Sequence, residues 1–272
     1  MYYRRNAKVK CWKLKDLGHA DLTGIEEQWH YPAMKHDPRQ TWRFPEDLAG
    51  NFRLAEVLAP THCAGCGGYH LARARRRLTS ATPDALDRDE TVRRLRDWAM
   101  DRSALGTAPL EVVIVGSADT NLLAIAAEAV SDLGPARYTV LDRCRTPLAL
   151  CEAFARRHGL EVEARPFDMG APEGEFPADM IIVHSLLRFL PQSVHLATMV
   201  ALRRWLKPDG AILFSHRLMA PGPSAAFYKS EYETLEPLLR LFQDARLRIA
   251  SLQEAVEEGG PRHRILALLA SG

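Results

Sequence analysis

Residues 111–123 read "EVVIVGSADTNLL", and the parsing of this stretch decides the fold. Val112 to Val115 is an unbroken apolar run, the mark of a strand covered on both faces. Gly116 ends the run with a residue able to turn sharply. From Asn121 the apolar spacing becomes that of a helix. A strand, a tight turn and a helix make a cradle for an anionic group, because the turn's N–H groups and the helix N-terminus face it. Such cradles usually hold two or three glycines, and this one holds a single glycine.

The alternation continues downstream. "ARYTVLD" (136–142) reads as a second strand and "TPLALCEAFARRHG" (146–159) as a second helix stopped by Gly159. "LEVEARPFD" (160–168) and "ADMIIVHSLL" (178–187) are further strands, and "PQSVHLATMVALRRWL" (191–206) a helix opened by proline. "KPDGAILFSH" (207–216) supplies a turn and a fifth strand, and a helix is expected over 228–245. "ARLRIASLQEAV" and "RHRILALLA" then read as two strands of a closing hairpin. Alternating strands and helices imply a parallel sheet with right-handed crossovers.

Residues 1–108 have a different character. They carry 19 Lys and Arg against 14 Asp and Glu, giving +5, whereas residues 109–272 carry 17 against 20, giving −3. Four of the five tryptophans, Trp12, Trp29, Trp42 and Trp98, fall in this first region. "PEDLAGNFRLAEVLA", "YHLARARRRLTS" and "DETVRRLRDWAMDRSAL" are expected helices, and the stretch before residue 45 has no clear period. The expectation is a mostly helical cap with an irregular arm over 1–108, selecting substrate and suited to homodimer formation, and a ligand-binding domain over 109–272. No run of about 18 apolar residues spans a membrane. The basic first 15 residues lack the apolar core of a secretory signal, and five cysteines suit reduced thiols, so a cytoplasmic protein is expected.

In an open α/β sheet, ligands lie outside the carboxyl ends of the strands. Asp142 ends the second strand 26 residues after Gly116, where an acid can accept hydrogen bonds from a ribose diol. Asp168 follows the third strand and is placed to face an adenine amino group. These features suit an adenosine-bearing cofactor.

The order of segments resembles that of the class I S-adenosylmethionine-dependent methyltransferases, over about residues 109–272. "VVIVGSADT" stands at the family's glycine-rich motif, "YTVLD" at its ribose-binding strand end and "RPFDM" at its adenine-contacting segment. "ADMIIVHSLLRFLP" matches the fourth strand, and "LRRWLKPDGAILFS" is the most family-specific piece. The resemblance implies a Rossmann-like, seven-stranded, mostly parallel sheet with a terminal antiparallel hairpin. It implies S-adenosylmethionine held by Gly116, Ser117, Asp119, Asn121, Asp142, Arg143, Asp168, Met169 and His184. The chain departs from the family where Ile114 replaces an acid and where Ser117 and later residues replace glycines. Ser117, Asp119 and Asn121 then supply side chains, with Asp119 meeting the cofactor's ammonium.

His184 and His216, at the ends of the fourth and fifth strands, are the candidate bases, since an imidazole exchanges protons near neutral pH. The alternatives are that His184 packs against the cofactor and that His216 caps its strand. Arg188 and Arg217 are candidates for holding a substrate carboxylate, against a reading as solvated arginines, and Tyr228 and Tyr232 for lining the pocket, against simple packing. An Asn-Pro-Pro-Tyr-like segment is absent after the fourth strand, which favours a small metabolite over a nucleic acid. Two rival readings stay open: cyclisation or aminocarboxypropyl transfer releasing methylthioadenosine, and a non-catalytic cofactor-binding regulator.

"THCAGCGGYH" (61–70) holds Cys63, Cys66 and His70 at spacings that suit zinc. A fourth ligand would be His62, or Cys11, His30 or His36 from farther away. A flexible link between helices and a redox dithiol are the competing readings. Cys144 and Cys151 read as buried small residues. Arg73, Arg75, Arg76 and Arg77 form a basic helix face, read as solvated or salt-bridged with Asp84, Asp87, Asp89 and Glu90.

Overall fold

The computed structural model describes residues 8–12, 28–29, 42–63, 66, 68–79, 88–103, 108–218, 232–256 and 263–272. The first elements are β1 (Lys8–Trp12), β2 (Gln28–Trp29), α1 (Leu48–His62), α2 (Tyr69–Thr79) and α3 (Arg88–Ser103). Next come β3 (Leu110–Val115), α4 (Asn121–Val130), β4 (Ala136–Asp142), α5 (Arg145–His158), β5 (Glu161–Pro166) and β6 (Ala178–His184). Last are α6 (His195–Trp205), β7 (Leu206–Leu218), α7 (Glu236–Asp244), β8 (Leu247–Val256) and β9 (His263–Ser271). By their contacts the residues form two units. Unit one is Pro38–Met169 with Pro177–Ile182, and unit two is Met1–Asp37, Gly170–Phe176 and Val183–Gly272.

Unit one carries the parallel sheet. β4 pairs in parallel with β3 on one side and β5 on the other, with Val115 opposite Leu141 and Asp142 opposite Pro166. The four residues Val112 to Val115 are all buried, which is why the run lacks alternation. β5 forms the sheet's edge, and its exposed Glu161, Glu163 and Arg165 guard that edge with charge. β6 lies next to β3, where the Asp179 carboxylate accepts the Glu111 N–H at 3.0 Å. Gly159 caps α5 in the left-handed conformation (φ 65°), its N–H bonded to the Ala155 carbonyl.

The helices of residues 1–108 belong to this unit. α1 packs on α2 and α5, and α3 packs on α4. Asp47 caps α1 by accepting the Gly50 N–H at 2.8 Å. Arg96 donates to the Glu128 carbonyl at 3.0 Å, which places a cation at the end of α4.

Unit two is antiparallel. β9 lies between β7 and β8, and the β8–β9 pair is the expected hairpin. Strands β3 to β9 supply the seven strands of a Rossmann-like sheet with its closing hairpin. Two strands read from sequence as an irregular arm extend it: β1 pairs with β8 along Lys8 to Trp12, and β2 pairs with β1. Five residues are too few to display a period, and the β8 edge supplies the order. The helix expected over 228–245 starts later, at Glu236 with Pro237 in its first turn, and residues 232–235 are not helical. No helix among the described residues is long and apolar enough to cross a membrane.

Candidate functional site

The turn after β3 is built by its own side chains and then covered by the cap helices. Gly116 turns the chain at φ 72°, its N–H donating to the Leu141 carbonyl at 2.8 Å. Ala118 follows at φ 58°, a left-handed conformation unusual for alanine. Buried Ser117 donates its hydroxyl to the Asp119 carbonyl at 2.7 Å. Asp119 accepts the Asn121 N–H at 2.9 Å and pairs with Arg73 of α2 at 2.7 Å. Arg77 stands 3.4 Å from the same carboxylate and grips Glu46 with two hydrogen bonds of 2.7 and 2.8 Å. Thr120 donates to Glu46 and accepts from Asn51 at 2.8 Å.

This network already engages the Asp119 carboxylate that was expected to meet a cofactor's ammonium. Burial alone would raise its carboxyl, but Arg73 and Arg77 outweigh burial and hold it below the ordinary range. It is an ionised group paired with two arginines. Asn121 is likewise buried at the start of α4. The basic helix also resolves: Arg73 and Arg77 are spent on these acids, while Arg75 and Arg76 are exposed and Arg75 lies over the Phe52 ring. Asp84 and Asp87 lie outside the described residues.

Beside this turn, β4 ends in the expected acid. Asp142 accepts the Cys144 N–H at 2.8 Å, and its own carbonyl accepts the Phe167 N–H at 3.0 Å. That backbone bond brings exposed Asp168 and buried Met169 to the end of β4. Burial raises the Asp142 carboxyl against the opposing pull of His70 and the Cys144 and Ala118 amides. Arg143 points to solvent. Gly116, Asp142 and Asp168 are therefore neighbours, as the motif order implies.

The two candidate bases lie at the ends of adjacent chain segments in unit two. The Ser185 N–H donates to the Ser215 carbonyl at 2.8 Å, and half-buried His184 hydrogen-bonds the Ser215 hydroxyl through Nδ1. His216 differs. It is 1% exposed, stacked on Phe214 and edge-on to Tyr232, and neither ring nitrogen has a hydrogen-bond partner among the described residues. Burial, with help from Arg188 and His195, pushes it down to about 3. It does not share the near-neutral behaviour expected of both histidines.

Sequence reading passed over His195, inside a segment parsed only as helix. Its Nε2–H donates to the Leu187 carbonyl at 2.9 Å, so Nδ1 accepts from the Tyr232 hydroxyl at 2.7 Å. Tyr232 is thus a buried bracing residue ahead of α7. Arg188 is buried and Arg217 half-buried. Tyr228 lies outside the described residues.

Back in unit one, Cys63, Cys66 and His70 come together, and Cys144 joins them. One ligand atom from each lies within 4.8 Å of all the others. Cys144 is therefore not the inert small residue expected of it. Its Sγ is 3.3 Å from Cys63 Sγ, and Cys63 Sγ is 3.0 Å from the Thr146 hydroxyl. His70 donates Nδ1–H to the Ala118 carbonyl at 3.0 Å. Burial opposes ionisation of Cys66, yet His70 draws its thiol down to about 6, while burial pushes the Cys63 thiol up to about 12. Of the other proposed ligands, His62 is exposed and offers only its carbonyl to Cys144, at 3.0 Å. Cys11 falls in β1 of the other unit, and His30 and His36 lie outside the described residues. Cys151 is buried as expected, and burial raises it to about 12.

No family model matches the chain, and no curated protein matches it. Solved structures do. The O-methyltransferase of neocarzinostatin biosynthesis, solved with S-adenosylmethionine and 2-hydroxy-5-methyl naphthoic acid, is 18% identical with a TM-score of 0.53. The match covers 83% of this chain and 67% of that one. The Burkholderia thailandensis 1,6-didemethyltoxoflavin-N1-methyltransferase, solved with that substrate and S-adenosylhomocysteine, is 15% identical with a TM-score of 0.52. Here the match covers 82% of this chain and 89% of the other. A structure described as a pericyclic reaction enzyme aligns at 12% identity and TM-score 0.52, over 74% of this chain and 52% of its own. At these identities the likeness is one of fold: the chain has the fold of the class I S-adenosylmethionine-dependent methyltransferases.

Proposed function

We propose that the chain is an S-adenosylmethionine-dependent methyltransferase acting on a small-molecule metabolite. The observation that carries this reading is the placement of Gly116, Asp142 and Asp168 side by side, in a fold shared with solved methyltransferases. Asp142 keeps acceptor capacity beyond its bond from Cys144, enough for a ribose diol, and Asp168 is exposed for an adenine amino group. Buried Met169 offers an apolar surface to the purine. These residues fit the adenosine half of the cofactor. Toward the amino-acid half, Asp119 is already paired with Arg73 and Arg77.

S-adenosylmethionine, when bound, supplies an electrophilic methyl group. The protein's part is then to align the acceptor and take its proton where it has one. His184 is the residue assigned to that proton, and Arg188 and Arg217 are the candidates for a substrate carboxylate. Substrate selection falls to the cap. Zinc at Cys63, Cys66 and His70 and a cytoplasmic setting for these thiols belong to the same reading. Mass spectrometry of products tests it: S-adenosylhomocysteine formation supports methyl transfer, and methylthioadenosine in its place overturns it.

One observation favours a second reading. The turn has side chains where glycines are usual, and His216, one of the two candidate bases, has its proton affinity suppressed by burial, which suits a cofactor-binding regulator that never turns its ligand over. Cofactor binding without either product would favour that reading.

A further inference from the structure

We propose that Cys63, Cys66, His70 and Cys144 form one closed zinc site, with Cys144 as the fourth ligand. The ion fastens the α1–α2 turn to the end of β4. This deepens the zinc reading above and is independent of S-adenosylmethionine binding.

The spacing comes first. Tetrahedral zinc holds thiolates at about 2.3 Å and imidazole at about 2.0–2.1 Å, which sets ligand atoms roughly 3.5–3.8 Å apart. Four candidate atoms mutually within 4.8 Å match a single ion after small side-chain adjustments. Cys63 and Cys144, 3.3 Å apart, must open slightly to take their places. An iron–sulfur cluster would put metal–metal edges between its thiolates, so this group is too compact for one.

The imidazole is already oriented. A metal-binding histidine commonly donates its second N–H to a backbone carbonyl, which fixes the tautomer. His70 does this through Nδ1 to Ala118, leaving the Nε2 lone pair for the metal. The Thr146 hydroxyl, 3.0 Å from Cys63 Sγ, is a ready donor to a thiolate there. Three sulfurs and one nitrogen select a soft or borderline ion over magnesium or calcium. Four protein ligands also leave no open position for substrate, which makes the site structural.

The ligands are remote in sequence, Cys63 and Cys144 being 81 residues apart. They are also tied to the two pieces of the adenosine crevice. Cys144 gives its N–H to Asp142, and the His70 ring holds the carbonyl of left-handed Ala118 in the turn after β3. One ion thus braces the acid and the turn together.

The decisive measurement is zinc K-edge absorption on the full-length protein purified under reducing conditions, with metal analysis beside it. The expected result is one zinc per chain, bound by three sulfurs and one nitrogen. Cys144→Ser should convert the shell to two sulfurs, one nitrogen and one oxygen and weaken zinc binding more than about a hundredfold. That exceeds the 10–100-fold typical of second-shell losses. Cys151→Ser should leave zinc content unchanged. A two-sulfur shell in the wild type, or full affinity in Cys144→Ser, removes Cys144 while leaving zinc on the other three. Absence of zinc from the reduced wild type overturns the whole site. The wild-type spectrum decides the ligand set even if the variant does not fold.

Discussion

The turn after β3 and the core around His216 both bury polar groups, and they do so by opposite means. At the turn, the Asp119 and Glu46 carboxylates are paired with the half-buried Arg73, Arg77 and Arg88. Around His216 neither ring nitrogen has a partner among the described residues, and the ring is carried inside as a neutral aromatic between Phe214 and Tyr232. A paired charge is stable inside but depends on every partner, whereas a neutralised group depends on pH.

The largest effect is expected at the turn. Arg77→Ala leaves Glu46 and Asp119 short of a partner, and breaking such a buried pair costs about 3–5 kcal/mol. Urea denaturation should show that loss, and a change under about 1 kcal/mol would mean that Arg73 and Arg88 suffice without it.

For His216 the expected signature is a pH slope. Its folded pKa is depressed to about 3, so between that value and the unfolded value of about 6.5 only the unfolded chain takes up the proton. The stability is full above about 6.5 and falls as pH drops, by about 1.4 kcal/mol per unit, or about 2 kcal/mol at pH 5. His216→Phe should flatten that part of the profile. Parallel wild-type and variant profiles would show that the ring is solvated or paired.

Two smaller effects sharpen the contrast. Asp142→Asn should weaken S-adenosylhomocysteine binding about tenfold, equivalent to about 1.4 kcal/mol, by calorimetry. An equal loss in Asp119→Asn, once its stability is matched, would return Asp119 to the ligand. Tyr232→Phe removes the donor to His195 and should cost about 1 kcal/mol of stability. No change there would mean that water satisfies the imidazole.

The sheet was legible because its signals are local. The apolar run at Val112, the stop at Gly159 and the two consecutive strands of the β8–β9 hairpin each declare themselves in neighbouring residues. β1 was not, since its partner is β8, more than two hundred residues away. The site divides the same way. Motif order gives the adjacency of the turn at Gly116 and the strand end at Asp142, but the pairing of Asp119 with Arg73 depends on how α2 packs. Cys144 was read as a buried small residue because nothing in its own segment marks it as a ligand; the fold brings it to Cys63, Cys66 and His70 from 81 residues beyond Cys63. His195 and His216 are both buried, and they differ in whether the fold brings a carbonyl and a hydroxyl to the ring.

The central claim is that an adenosine rests against Gly116, Asp142 and Asp168. Co-crystallisation with S-adenosylhomocysteine tests it most directly. The account expects the ribose hydroxyls on the Asp142 carboxylate and the adenine beside Asp168 and Met169. A ligand-free crevice at millimolar S-adenosylhomocysteine, or a ligand held without Asp142, would contradict it.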